Sequence, residues 1–276
     1  MRYVSFRRPD GGASYGILQE DAVIDLGSGS GAASLREALA DGSLASASHG
    51  SVYPLSGITL LPVIPDPAKI ICIGLNYATH VAETGREQKE YPAIFTRWSD
   101  SLVAHGAPLV KPDVSERFDY EGELAVIVGK GGHKITQADA ASHIAGYSIF
   151  NDASVRDWQR HNIQFTPGKN FPGTGAFGPA LVTPDEVADL ASQRVQTRLN
   201  GQLVQDQPIS DLIWDIPFLI EYISAFTPLA VGDVIVTGTP GGVGDKRNPP
   251  LYMMPGDIVE VEIGEIGKLI NPITES

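Results

Sequence analysis

The stretch Asp119-Tyr120-Glu121-Gly122-Glu123-Leu124-Ala125-Val126-Ile127-Val128 decides how this chain is read. The unbroken apolar run from Leu124 belongs to a strand set in a core. Alternate residues of a strand project to one face, so Glu121 and Glu123 share a side at the edge of that core. Two carboxylates pushed together there repel and lose hydration, and a cation is the most compact partner. Asp152 follows a second apolar strand, Tyr147-Ser148-Ile149-Phe150, and supplies a third carboxylate able to converge on the first two. Three oxygen ligands favour a hard ion, Mg²⁺ first and Mn²⁺ or Ca²⁺ behind it. The competing reading is that the two glutamates merely line a solvated strand face; spacing alone does not choose.

Working outward, further strand patterns fall at Lys69–Ile73, Ala145–Phe150, Val195–Leu199 with a turn at Asn200-Gly201, Asp233–Thr237 and the alternating Ile258–Ile263. Before them, Arg2–Phe6, Tyr15–Gln19 and Ala22–Leu26 read as a small meander. Gly27–Ser34 reads as a loop, and Ser34–Ala40 as a helix stopped by Gly42. Helices are also expected from Thr183-Pro184-Asp185-Glu186 to about Ala191, from Thr136 with Asp139, and over Asp215–Phe226 with Pro217 in its first turn. Three prolines in Leu61–Pro67 read as a linker. The expected division is a small N-terminal α/β module, residues 1–64, and a catalytic domain, residues 65–276. Strands outnumber helices without regular alternation, so the fold class is α+β and β-rich, not a doubly wound sheet or a TIM barrel.

Composition narrows the partners. Of 276 residues, 20 are Lys or Arg and 33 Asp or Glu, a net charge of −13 that opposes nucleic acid and anionic lipid surfaces. No run of about 18 apolar residues and no secretory core appear, so a cytoplasmic protein away from membranes is expected. The single cysteine, Cys72, lies in the apolar run Ile70–Ile73 and reads as a buried thiol.

Other motifs carry less on their own. In Gly74-Leu75-Asn76-Tyr77-Ala78-Thr79-His80-Val81-Ala82-Glu83, a helical turn from Ala78 makes His80 and Glu83 neighbours at i, i+3. A carboxylate beside imidazole raises its basicity, as a general base requires, although such pairs are common on surfaces. Gly173, Gly175 and Gly178 spell G-x-G-x-x-G, but Pro179 would break the helix expected there and position 198 is an arginine where an acid should bind ribose. Those glycines, and Gly238-Thr239-Pro240-Gly241-Gly242-Val243-Gly244, read as backbone able to approach a ligand, with Lys169 a positive group nearby. Neither a Gly-x-Ser-x-Gly elbow nor a His-Glu-x-x-His helix occurs.

Taken in order, Gly74–Tyr77 with His80 and Glu83, Asp119–Leu124, Asn151-Asp152 with Arg156 and Gln159, Gly168-Lys169 and Thr237–Gly244 resemble the fumarylacetoacetate hydrolase family across roughly residues 68 to 272. The resemblance implies a β-roll catalytic domain, a homodimer, and Mg²⁺ or Mn²⁺ held at Glu121, Glu123 and Asp152. It implies catalytic roles for His80, Glu83 and Lys169, and puts Gln159, Gly238 and Thr239 near the substrate. Many members carry lysine at the position of Arg97. Arg97 and Arg156 have the planar fork that clamps a carboxylate, but structural ion pairs are the equal alternative.

The chemistry expected is hydrolysis of a C–C bond in a 2,4-dioxo acid, as in acylpyruvate or fumarylpyruvate catabolism. His80–Glu83 would activate water and Lys169 stabilise the oxyanion. The same electron sink serves decarboxylation of oxaloacetate-like acids or isomerisation of hydroxymuconate-type acids. A Ca²⁺-stabilised binding module is the non-enzymatic alternative, and a nicotinamide enzyme is disfavoured by Pro179. The segment Thr84–Tyr91, with Gly85 as hinge and charges at Arg86, Glu87, Lys89 and Glu90, reads as a lid that sets recognition of the substrate tail.

Overall fold

In the computed structural model, which describes residues 1–29, 31–45 and 50–276, the strand Gly122–Val128 is buried at every position. It runs antiparallel to Ile144–Asp152 on one side and to Val234–Val236 on the other. With both faces covered, its side chains divide by parity: Leu124, Val126 and Val128 enter one apolar core, Ala125 and Ile127 another. Glu121 and Glu123 have the parity of the second set, which fixes the face on which a site can form.

Among the described residues, twelve strands join this sheet. Its order is Val52–Pro54, Ala22–Asp25, Ala13–Gln19, Arg2–Arg7, Gly175–Val182, Ile144–Asp152, Gly122–Val128, Val234–Val236, Ile70–Gly74 and Ala93–Arg97. Thr59–Leu60 pairs beside Arg2–Arg7, and Leu102–Val103 beside Gly175–Val182. A second sheet runs Gln202–Pro208, Arg194–Leu199, Ile258–Ile263, Gly267–Glu275, Leu109–Lys111. The sheets meet through Leu124, Val126 and Ile149 against Val195, Val259 and Val261. Between them stands Gly122: a Cβ there would fall 2.2 Å from Thr197 Oγ1 and 2.9 Å from Val261 Cγ1, so any side chain between the two glutamates would push the second sheet away. This is the β-rich α+β architecture expected.

The N-terminal meander and the helix Leu35–Asp41 form as expected, the helix capped by Ser34 and ended by Gly42 at φ 75°. Of the loop expected over Gly27–Ser34, Ser30 lies outside the described residues. The helix Ile216–Phe226 starts where Asp215 accepts the Phe218 amide at 2.9 Å. Cys72 is fully buried.

Two expected helices do not form. From Thr183 only the 3₁₀ turn Pro184–Glu186 appears: the Thr183 side chain makes no capping bond and Val187 returns to extended backbone. At Thr136 and Asp139 the side chains bond each other at 2.8 Å, and only Ala140–His143 winds into 3₁₀ before the strand at Ile144.

The segments on either side of the proline-rich stretch share structure. Arg2–Arg7 pairs with Gly175–Val182, and Tyr3, Tyr15, Leu26 and Leu35 share a core with Ile70, Cys72, Phe150 and Val234. A division at residues 64 and 65 is therefore a proposal, tested by whether residues 65–276 fold alone.

Candidate active site

Strand register assembles the carboxylates. Gly122 pairs with Asn151, so one step further Glu121 faces Asp152, whose amide donates to the Glu121 carbonyl at 2.8 Å. Directly opposed residues project to the same face. One oxygen each from Glu121, Glu123 and Asp152 lies within 4.8 Å of the others, and all three residues are buried.

Buried cations surround them. Lys169, at the end of the short helix Thr166–Lys169, places Nζ 2.6 Å from Glu121 and 2.5 Å from Asp152. Arg156 reaches Glu121 at 2.6 Å and Asp119 at 2.8 Å. Arg97 donates to the Asp152 carboxylate, the Ala153 carbonyl, Ser101 and Thr174. Burial opposes the Glu121 charge, yet Arg156 and Lys169 pull that carboxyl down to about 2. Burial likewise disfavours the Lys169 ammonium, and Asp152 and Glu121 outweigh it, so its value rises.

Glu123 behaves oppositely. Burial, then repulsion from Asp152 and Glu121, push its carboxyl well above the usual range; its Oε2 accepts the Gly238 amide at 2.6 Å. Four buried carboxylates, Asp119, Glu121, Glu123 and Asp152, thus face three buried cations, Arg97, Arg156 and Lys169. An all-oxygen donor set with residual negative charge fits a hard divalent ion.

His80 lies in the helix Ala78–Thr84, its Nδ1 2.6 Å from Glu83 Oε1. Glu83 Oε2 in turn accepts the Gly242 amide at 2.7 Å, which holds the pair against the glycine loop. With Nδ1 engaged, Nε2 is the nitrogen that can exchange a proton.

A cavity of about 460 Å³ joins these groups. Of the residues expected from sequence, His80, Glu121, Glu123, Arg156, Gln159, Lys169 and Thr239 line it. Asp152, Glu83, Gly238 and Arg97 stand behind the wall: Asp152 beneath Lys169, Glu83 behind His80, Gly238 against Glu123, Arg97 against Asp152. The glycines expected to approach a ligand are each closely packed on the side where a Cβ would stand. A Cβ on Gly175 would meet Arg97 at 2.9 Å, one on Gly242 the Val204 carbonyl at 2.2 Å, and one on Gly244 the Leu251 carbonyl at 1.8 Å. Gly175 opens the strand Gly175–Val182, so no nucleotide-type loop and helix follow it.

Sequence reasoning gave no role to Asp119, although it heads the decisive motif. Its buried carboxylate accepts from Arg156 and from the amides of Tyr120, Gly244 and Asp245, tying the strand to the glycine loop. Phe95 and Phe165 on the cavity wall gave no signal either.

The fumarylacetoacetate (FAA) hydrolase C-terminal family matches residues 69–274. Oxaloacetate tautomerase YisK of Bacillus subtilis is 43% identical over 227 residues, 80% of this chain and 75% of YisK. Two solved structures align over the whole of both chains. Fumarylacetoacetate hydrolase from Exiguobacterium antarcticum gives a TM-score of 0.88 at 34% identity, and 5-carboxymethyl-2-hydroxymuconate delta-isomerase from Mycobacterium smegmatis gives 0.81 at 30%. The chain belongs to the fumarylacetoacetate hydrolase family of enzymes.

Proposed function

We propose that the protein moves a proton between the 2-oxo oxygen and the adjacent carbon of a short 2-oxo dicarboxylic acid, interconverting keto and enol forms, with oxaloacetate the first substrate to test. The observation that carries this reading is a histidine–glutamate pair and a buried carboxylate cluster lining or backing one cavity. Held by Glu121, Glu123 and Asp152, Mg²⁺ or Mn²⁺ would supply Lewis acidity toward the 2-oxo group. His80 takes the proton from C3, the Glu83 carboxylate stabilises the imidazolium that forms, and the imidazolium returns the proton to the enolate oxygen to give the enol. Lys169 faces the same cavity as a fixed positive charge for the developing oxyanion. Among the described residues Arg156 Nη2 has no hydrogen-bond partner, which leaves a donor for the substrate's 1-carboxylate.

The expectation of C–C hydrolysis rested on a base able to activate water. The same base serves proton abstraction from carbon, and likeness to a tautomerase and an isomerase supports the step that needs no water. Hydrolysis is the second reading, supported by the whole-chain likeness to a fumarylacetoacetate hydrolase. The test is the rate at which enol-oxaloacetate absorbance decays with Mg²⁺ and protein, beside pyruvate release from acetylpyruvate and fumarylpyruvate. Accelerated decay that is lost in His80→Ala supports tautomerisation. Pyruvate release without any acceleration of the enol decay overturns it.

A further inference from the structure

Five cationic side chains line the cavity, and four of them have carboxylates to answer. Arg156 is bound to Asp119 and Glu121, Lys169 to Glu121 and Asp152, and Arg160 to Asp245, with Lys246 reaching the same Asp245 at 4.0 Å. Arg86 differs. Among the described residues no carboxylate comes within ion-pair distance of it, and its neighbour Glu87 is engaged by Lys89 at 3.7 Å. Its guanidinium instead lies 5.5 Å from the centre of the Phe165 ring.

That ring is one half of an aromatic pair on the cavity wall. Phe165 meets Phe95 edge to face at 5.6 Å, and Lys169 Nζ sits 5.0 Å from the centre of Phe95. The pair therefore carries a cation at each end, one committed to the carboxylate cluster and one uncommitted. An aromatic face holds a guanidinium in place without neutralising it, so the planar fork of Arg86 keeps its charge and donors for an incoming carboxylate. Gly85, at φ 67°, turns the chain out of the helix that carries His80 and Glu83, so one element presents both the acid–base pair and this cation.

We infer that Arg86, held on Phe165, is the specificity-determining residue that binds the distal carboxylate of the substrate. The inference rests on the reading of the cavity as a 2-oxo acid site, with the 1-carboxylate and oxo group at the Lys169 end. A monocarboxylate of the same length would leave Arg86 without a partner and would gain nothing from it.

The test uses binding, not turnover. Calorimetric titration of the full chain with Mg²⁺ compares 2-oxoglutarate with 2-oxopentanoate, which match in length and differ in the distal carboxylate. The parent is expected to prefer the dicarboxylate by at least about tenfold, and Arg86→Gln to erase that preference by weakening the dicarboxylate alone. Arg86→Lys should recover part of it. Equal weakening of both ligands, or no change in either, overturns the inference. The outcome is separable from the reaction: a preference that vanishes in Arg86→Gln stands even where no tautomerisation is catalysed, and tautomerisation with an Arg86-independent preference leaves the reaction standing and removes this role.

Discussion

The Glu83 carboxylate lies 2.6 Å from His80 Nδ1 through one oxygen and 2.7 Å from the Gly242 amide through the other. The residue that orients the imidazole is thus itself pinned by the loop that follows the strand Val234–Val236. A carboxylate anchored at both oxygens cannot swing away from the ring, which keeps one tautomer and one orientation in the cavity.

This arrangement gives the first kinetic expectation. His80→Ala should lower kcat on the proposed substrate by ~10²–10⁴, the range for losing a positioned general base. Glu83→Gln keeps the shape but not the charge, and should lower kcat by roughly 10–100-fold with a smaller change in KM. Steady-state kinetics on enol-oxaloacetate check both, and an unchanged kcat in His80→Ala removes the histidine from the mechanism.

Metal dependence follows from Glu123, the carboxyl that burial and its acidic neighbours push up. Stripping with EDTA should abolish turnover and added Mg²⁺ or Mn²⁺ restore it. Glu123→Gln should weaken metal binding at least about tenfold in a calorimetric titration, because one of three oxygen ligands loses its charge. The metal-free variant should also melt above the metal-free parent, since a carboxyl that ionises in the unfolded chain but is opposed from doing so in the fold costs stability at neutral pH, and the amide does not titrate. A variant that binds metal as tightly as the parent refutes the ligand assignment.

Arg97 has a different signature from a substrate clamp. Its guanidinium is buried, bonded to Asp152, Ala153, Ser101 and Thr174, and lies 5.9 Å from the Phe150 ring centre. Arg97→Met should cost about 3–5 kcal/mol of stability by leaving Asp152 without its planar partner. Arg97→Lys keeps the charge and should lose less. Denaturant melts measure the cost. A stable Arg97→Met protein with raised KM alone would instead favour direct contact with substrate.

Part of the acid sensitivity should arise in the N-terminal meander. Arg8 Nε lies 2.6 Å from Asp25, whose side chain is 1% exposed. Burial raises the Asp25 carboxyl, but hydrogen bonds from Arg8 and Ser14 outweigh it and hold the group below its ordinary 3.8. A carboxyl depressed in the folded state contributes stability above its unfolded value and loses it as pH falls through the folded one. Melting temperature should therefore drop as pH falls below about 4, and Asp25→Asn should flatten that slope while destabilising at neutral pH by about 1–3 kcal/mol. An unchanged slope in the variant would place the acid sensitivity elsewhere.

Much of the site was legible from spacing. The two-residue period of a strand put Glu121 and Glu123 on one face, and the helical i, i+3 spacing put His80 against Glu83, because both depend only on local backbone geometry. The apolar strand before Asp152 marked it as a third carboxylate and the resemblance gave Lys169 a catalytic role, and both sit at the carboxylate cluster. Capping patterns at Thr183 and Thr136 misled: only the 3₁₀ turns Pro184–Glu186 and Ala140–His143 follow them, although the Asp139 amide does donate to the Thr136 hydroxyl at 3.3 Å.

The sequence by itself determined the β-rich class, the acidic strand edge, the histidine–glutamate neighbours and the apolar run that buries Cys72. Only the tertiary structure decided which charges are spent. The register Gly122 to Asn151 places Asp152 beside Glu121, and burial commits Arg97 and Arg156 to those acids while Arg86 rests on Phe165 without one. Residue spacing along one segment follows from covalent geometry. Partners 30 to 159 positions apart are chosen by sheet register and by the cost of leaving a buried charge unpaired, and neither is written in local sequence.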